Sequence, residues 1–152
     1  MATLLQEFTE LVAAFNRRHI DYAVCGGWAM TIHGSPRATV DIDVMVLAED
    51  LAEAWKAAED LGYNVEGLPL RFHDGAIEIR RISKVDAETK VLFTIDFLLV
   101  TEATREIWQS REKVEWDHGI ISTVSREGLI ELKQLGGRLQ DLADIERLRN
   151  ES

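Results

Sequence analysis

Near its start the chain places Leu4, Leu5, Phe8, Leu11, Val12 and Phe15 at spacings of three and four, which predicts an amphipathic helix with a buried stripe. The run "YAVCG" then reads as a short strand, and "GWAMTIH" as two turns of helix closed by Gly34 and Pro36. "VDIDVMVL" is a second strand. Leu51, Trp55, Ala58 and Leu61 give the next helix its stripe, and Gly62 stops it. "GAIEIRRIS" and "VLFTIDFLLV", joined by the polar "KVDAETK", suit an antiparallel hairpin with a long loop. "REKVEW" and "GIISTV" read as a further, smaller pair. Ser125 is placed to cap a helix through "LIELKQL", and after Gly136 and Gly137 a last helix carries Leu139, Leu142, Ile145 and Leu148. The order is αβαβαββ, then small strands and two helices, an α/β (α+β) chain.

No repeat, low-complexity tract or flexible linker divides the sequence, so residues 1–152 are expected to form a single domain. That length buries about two-thirds of the unfolded surface and leaves no room for a separate acceptor-binding domain. Apolar residues make up 46% and charged residues 29%, with no apolar run near the ~18 residues of a membrane span, so a soluble protein is expected. The N-terminal stretch lacks the basic run and cleavage site of a signal peptide, and the single Cys25 has no internal disulfide partner. Both features point to a reduced, cytoplasmic setting, in which Cys25 reads as a small core residue rather than a reactive thiol. The formal net charge of −10 repels polyanions and disfavours long nucleic acid. A small nucleotide stays admissible, because bound divalent cations reverse the local sign.

The chemistry concentrates in "CGGWAMTIHGSPRATVDID", residues 25–43. Strand alternation aims Asp41 and Asp43 to one side with backbones roughly 6.5–7 Å apart, while Ile42, Val44 and Val46 face the core. A solvated edge strand would explain such a pair, but the flanking "VMVL" is apolar on both faces. Hard cations of the Mg²⁺ type are held by one or two carboxylates plus substrate phosphates, which makes a metal site the stronger reading. Asp96, alone in the apolar "VLFTIDFLLV", is the candidate third carboxylate, since a lone buried charge is costly. Three carboxylates suffice for two metals ~3.5–4 Å apart. Gly26 and Gly27, between strand and helix, would let a phosphate approach the helix start; a tight turn that glycine merely permits is the plainer account.

These residues resemble the DNA polymerase β-like nucleotidyltransferases, especially small bacterial members of the minimal nucleotidyltransferase and AbiEii type. The likeness lies in "CGG", the following helix and loop, "DID" before apolar residues, and the later "IDFLL"; the tail "LKQLGGRLQDLADIERL" matches less closely. It implies a mixed β-sheet with helices packed on it, and Mg²⁺-dependent transfer of a nucleoside monophosphate from NTP, with two ions and ATP as the expected donor. It also implies that Gly26 and Gly27 hold the triphosphate, that Asp41 and Asp43 bind the metals, and that Asp96 binds metal and helps activate an acceptor hydroxyl. The tail departs at Gln140, where relatives often carry Lys.

Around this set, Arg37 is a candidate phosphate contact or a solvated loop residue, and Lys133 a candidate triphosphate contact or an exposed lysine. His33 reads as a helix-end structural residue, and Arg138, Asp141 and Asp144 as a charge ladder on one helix face. Trp28 could stack on a base but reads more simply as core, and Trp55 belongs to its helix stripe; the segment between Trp108 and Trp116 is poorly patterned. Two functions follow. One is an active nucleotidyltransferase acting on an RNA end, a protein hydroxyl or a small antibiotic. The other is a nucleotide- or partner-binding module without turnover, such as a toxin–antitoxin component, and a homodimer or such a partner would complete an open cleft.

Overall fold

The computed structural model describes residues 2–36, 38–137 and 139–150. Helix α1 (Leu4–Arg17) starts at a capping box in which the Thr3 hydroxyl accepts from the Gln6 amide while the Gln6 side chain accepts from the Thr3 amide. It buries Phe8, Leu11, Val12 and Phe15, as the spacing predicts, whereas Leu5 is about half exposed at the edge of the stripe. Strand β1 (Ala23–Cys25) runs straight into α2 (Gly26–Ile32), and β2 (Asp41–Val46) and α3 (Leu51–Asp60) follow. The most buried side of α3 is Ala54, Ala57 and Ala58, with Leu51, Trp55 and Leu61 only partly covered. Small side chains let this helix lie close to the sheet.

Strands β5 (Ile77–Val85) and β6 (Leu92–Leu99) form the expected antiparallel hairpin. Before it come two short strands without a sequence signal, β3 (Val65–Glu66) and β4 (Leu70–Phe72), both paired with β5. Helix α4 (Arg105–Gln109) occupies the poorly patterned stretch. The pair β7 (Glu112–Trp116) and β8 (Gly119–Thr123) is not a separate small sheet: β8 lies parallel to β1, with Val24 opposite Thr123 and the Thr123 hydroxyl donating to the Val24 carbonyl at 3.1 Å. Among the described residues the result is one eight-stranded mixed sheet in the order β3-β5-β6-β2-β1-β8-β7, with β4 also pairing with β5, on the edge away from β6.

Two helices close the described chain. α5 (Arg126–Gly136) is capped by Ser125, whose hydroxyl accepts from the Gly128 amide, and α6 (Leu139–Asn150) packs against it. The inward side of α6 is Asp141, Asp144, Ile145 and Leu148, so Leu142 turns outward and is 54% exposed. Of the expected stripe Ile145 and Leu148 are buried, Leu142 gives way to two acidic residues that find a buried partner on α5, and the Leu139 side chain lies outside the described residues. No helix among the described residues is long and apolar enough to cross a membrane.

Aromatic contacts fix which sheet face is which. Phe97 on β6 meets Phe15 of α1 and Trp55 of α3, with ring centroids 6.3 and 6.1 Å apart, so its neighbour Asp96 points to the opposite face. A polar cluster anchors α1 to the sheet: Glu7 Oε1 accepts from the Tyr63 hydroxyl at 2.9 Å and lies 2.7 Å from Lys84 Nζ, which also donates to the Leu61 carbonyl. Burial and the Glu7 bond push the Tyr63 phenol's pKa well up. Glu7→Ala would strand the Tyr63 hydroxyl in a buried site and remove one of Lys84's partners. It is expected to lower stability in urea denaturation by about 2–3 kcal/mol, with Glu7→Gln costing less because it still accepts from Tyr63. Equal stability of Glu7→Ala and wild type would show that the cluster contributes nothing.

Candidate active site

Asp41 and Asp43 stand on the same side of β2, the fourth strand of seven along the main path of the sheet. Its parallel neighbour β6 sets Thr94 beside Asp41 and Asp96 beside Asp43, which brings the three carboxylates to one face. Asp41 and Asp43 are partly buried, and the Asp96 side chain is 9% exposed. Burial, and then the charge of Asp96, raise the pKa of Asp41, while Arg81 pulls it back. Such crowding identifies the face as one where negative charge is concentrated for a purpose or neutralised locally.

Neutralisation is visible, from a residue that the sequence reading did not single out. Arg81 of β5 lies directly across from Asp96 and grips both of its oxygens, Nε to Oδ1 at 2.7 Å and Nη2 to Oδ2 at 3.0 Å. The signal was the doublet "RR" in the strand-like run "IEIRRIS", but deciding which arginine meets Asp96 requires the hairpin register, and the long loop conceals it. Among the described residues, no group of three His, Cys, Asp or Glu side chains is already gathered as a metal cage. The donor set nevertheless suits a hard divalent cation, since carboxylate oxygens are what such ions take.

The glycines meet this face from β1. Cys25 pairs with Asp43 across the antiparallel β1–β2 ladder, so Gly26, the next residue, begins α2 against the Asp43 carboxylate. Its φ of +63° is a left-handed value, and a Cβ there would overlap that carboxylate. At Gly27 a Cβ would come within 2.6 Å of the Thr39 hydroxyl oxygen. Gly26 therefore permits close approach of the helix start to Asp43, and Gly27 close approach to Thr39 in the segment that leads into β2.

The segment leading into β2 is held from the tail. His33 Nε2 donates to the Val124 carbonyl at 2.7 Å, Arg126 reaches the carbonyls of His33 and Leu148, and Arg147 donates to the Pro36 carbonyl at 2.9 Å. His33 is thus a structural residue here. Arg37 and Arg138 lie outside the described residues. Lys133 is no exposed lysine: its side chain is 5% exposed, with Nζ 2.8 Å from Asp144 Oδ2 and 3.8 Å from Asp141 Oδ1. Asp141 and Asp144 accordingly face inward on one side of α6, where both meet the Lys133 ammonium of α5. Trp28 stacks on Phe8 with centroids 4.3 Å apart and 4° between planes, which makes it part of the core packing.

No protein-family profile and no curated protein matches the chain. Solved structures do. A presumptive nucleotidyltransferase from Thermotoga maritima is 14% identical, with a TM-score of 0.63 over 97% of this chain and 93% of its own. The antibiotic-resistance factor ANT(2'')-Ia, in complex with adenylyl-2''-tobramycin, is 15% identical, with a TM-score of 0.68 over 99% of this chain and 90% of its own. An antigenic nucleotidyltransferase-like protein from Paracoccidioides brasiliensis is 16% identical, with a TM-score of 0.58 over 95% of this chain and 74% of its own. The chain therefore has the nucleotidyltransferase fold.

Gly26→Ala is expected to lower stability by about 2–3 kcal/mol in chemical denaturation, combining left-handed backbone strain with displacement of the Asp43 carboxylate. An unchanged midpoint would mean that the helix start does not need this close approach. A second expectation concerns Cys25, which is 3% exposed and whose thiol pKa is pushed well up by burial and by the Asp43 charge. The folded state holds the proton more tightly than the unfolded one, so this group's contribution to stability is complete below the ordinary thiol pKa and is lost as pH rises above it. Thiol labelling of the native protein at pH 8 should be slower than in denaturant by on the order of a hundredfold, and equally fast labelling would place Cys25 at the surface.

Proposed function

We propose that the chain is a Mg²⁺-dependent nucleotidyltransferase that moves a nucleoside monophosphate from NTP, ATP first, to a hydroxyl acceptor. The observation that carries this reading is the register of β2 and β6, which sets Asp43 directly beside Asp96, with Asp41 on the same face and Gly26 against Asp43. Asp41, Asp43 and Asp96 would hold Mg²⁺, which when bound neutralises charge on the phosphates and lowers the pKa of a hydroxyl bound to it. Gly26 and Gly27 keep side chains out of the path by which the triphosphate reaches Asp43. Asp96 orients the acceptor hydroxyl and, in this reading, helps take its proton. Arg37, in the loop before β2, would contact phosphate. Lys133 would act on the triphosphate only indirectly, since its ammonium is engaged with Asp144.

Among acceptors, the formal charge of −10 favours a protein hydroxyl or a small cationic molecule over a nucleic-acid end. The complex of ANT(2'')-Ia with adenylyl-2''-tobramycin supports the small-molecule class for that protein, and the shared fold extends the suggestion here. A second reading, a nucleotide- or partner-binding module without turnover, draws on the Arg81 fork that engages both oxygens of Asp96. As a component of a toxin–antitoxin pair, or as a homodimer, it would need binding alone.

Thermal melts and label transfer separate the readings. For the enzyme, ATP with Mg²⁺ at roughly a hundred times Kd should raise the melting temperature by about 5–10 °C. Transfer of label from α-labelled ATP to an acceptor in cell extract should fall by roughly a hundredfold or more in Asp43→Asn, which should remain folded. Binding without transfer would favour the module. A melting point indifferent to Mg²⁺ and to every NTP would remove the enzyme and the nucleotide-binding module, and leave the partner-binding module standing.

A further inference from the structure

Resting on the nucleotidyltransferase reading, the geometry points to Arg81 as a further nucleotide-binding residue, one that competes with the metal for Asp96 until a triphosphate draws it away. The fork on Asp96 uses two of Arg81's donors at 2.7 and 3.0 Å, and both oxygens of the carboxylate are engaged at once. A divalent cation on either oxygen would sit beside a guanidinium, and two cations sharing one carboxylate in a partly buried site repel each other strongly. Free Mg²⁺ therefore meets a face that already carries its own counter-ion.

Arg81 is built to move. Its backbone is held in the sheet, paired with Asp96 on β6, and its carbonyl accepts from the Gly67 amide at 2.9 Å. Its side chain, by contrast, is 43% exposed, against 9% for Asp96. Rotation of the guanidinium toward solvent leaves the sheet untouched, and the phosphates of a nucleotide offer it the same bidentate geometry as the carboxylate. Arrival of nucleotide with metal then exchanges two pairs at once: Arg81 passes from Asp96 to phosphate, and Asp96 is freed for the cation. No covalent bond is made or broken in this exchange. Its consequence is positive coupling, so that metal alone binds weakly and metal with nucleotide binds well.

Mn²⁺ binding, read by the loss of its free-ion paramagnetic resonance signal, tests this without any turnover. Wild type should bind Mn²⁺ at least about tenfold more tightly with a non-hydrolysable ATP analogue than without it, after correction for Mn²⁺ bound to free analogue. Arg81→Met, which keeps the stem and removes the charge, should tighten binding of Mn²⁺ alone by about tenfold and shrink the effect of the analogue, with Arg81→Lys in between. Wild type that binds Mn²⁺ equally well with and without nucleotide overturns the exchange, a result that does not depend on any variant folding. So does Arg81→Met with unchanged affinity for Mn²⁺ alone; if Asp43→Asn then loses Mn²⁺, the metal-site reading survives without the exchange. Absence of Mn²⁺ binding in every protein, with nucleotide or without, overturns the metal-site reading itself.

Discussion

Two carboxylates side by side on neighbouring central strands are the constraint around which the molecule is arranged. Asp43 and Asp96 are register partners, and adjacent strands run about 4.8 Å apart, a separation at which two like charges repel by roughly 3 kcal/mol at an effective dielectric of 20. A central strand has no edge through which to relieve this. Arg81 across from Asp96 supplies the compensating charge, and the rest of β2, from Val44 to Val46, is fully buried and apolar. The apolar frame makes the acid pair costly, and the same frame keeps it rigid.

Topology decides which residues surround the pair. Because β2 and β6 are parallel, their connection must cross over, and it does so through α3, β3, β4 and β5. The returning β5 is antiparallel to β6, which puts Arg81 on the side of Asp96 away from Asp43. On the other flank, β1 is antiparallel to β2 and ends at Cys25 opposite Asp43, so the start of α2 falls on the Asp43 carboxylate. Acids, arginine and glycine come from widely separated stretches of the chain, and pairing in one sheet is what unites them.

Local signals explain why the reading of the sequence succeeds for α1, for the β5–β6 hairpin and for the Ser125 cap: each is encoded within a few residues by period, turn chemistry or a hydroxyl at a helix start. The parallel pairing of β8 with β1 depends on residues about a hundred positions apart and leaves no local trace. β3 and β4 are too short for a period, and Gly67 and Pro69 break the run between them. In α6 the apolar spacing holds for Ile145 and Leu148 but misleads at Leu142, since Asp141 and Asp144 turn inward to a buried ammonium on α5 and carry Leu142 out. Within the candidate site, the aspartates and glycines stand out by type, whereas Arg81 becomes meaningful only through its register with Asp96.

The charge balance of the face bears on what it can bind. Among the described residues, three carboxylates with one arginine leave it acidic, on a chain that is acidic as a whole. An anionic triphosphate would be repelled by such a surface unless cations arrive with it. The Lys133 ammonium does little to change this, because two buried carboxylates surround it. Under the proposed function such a face would discriminate by company: it would turn away free polyanions and naked nucleotide, draw in a cationic molecule, and accept a nucleotide whose charge has been met by metal.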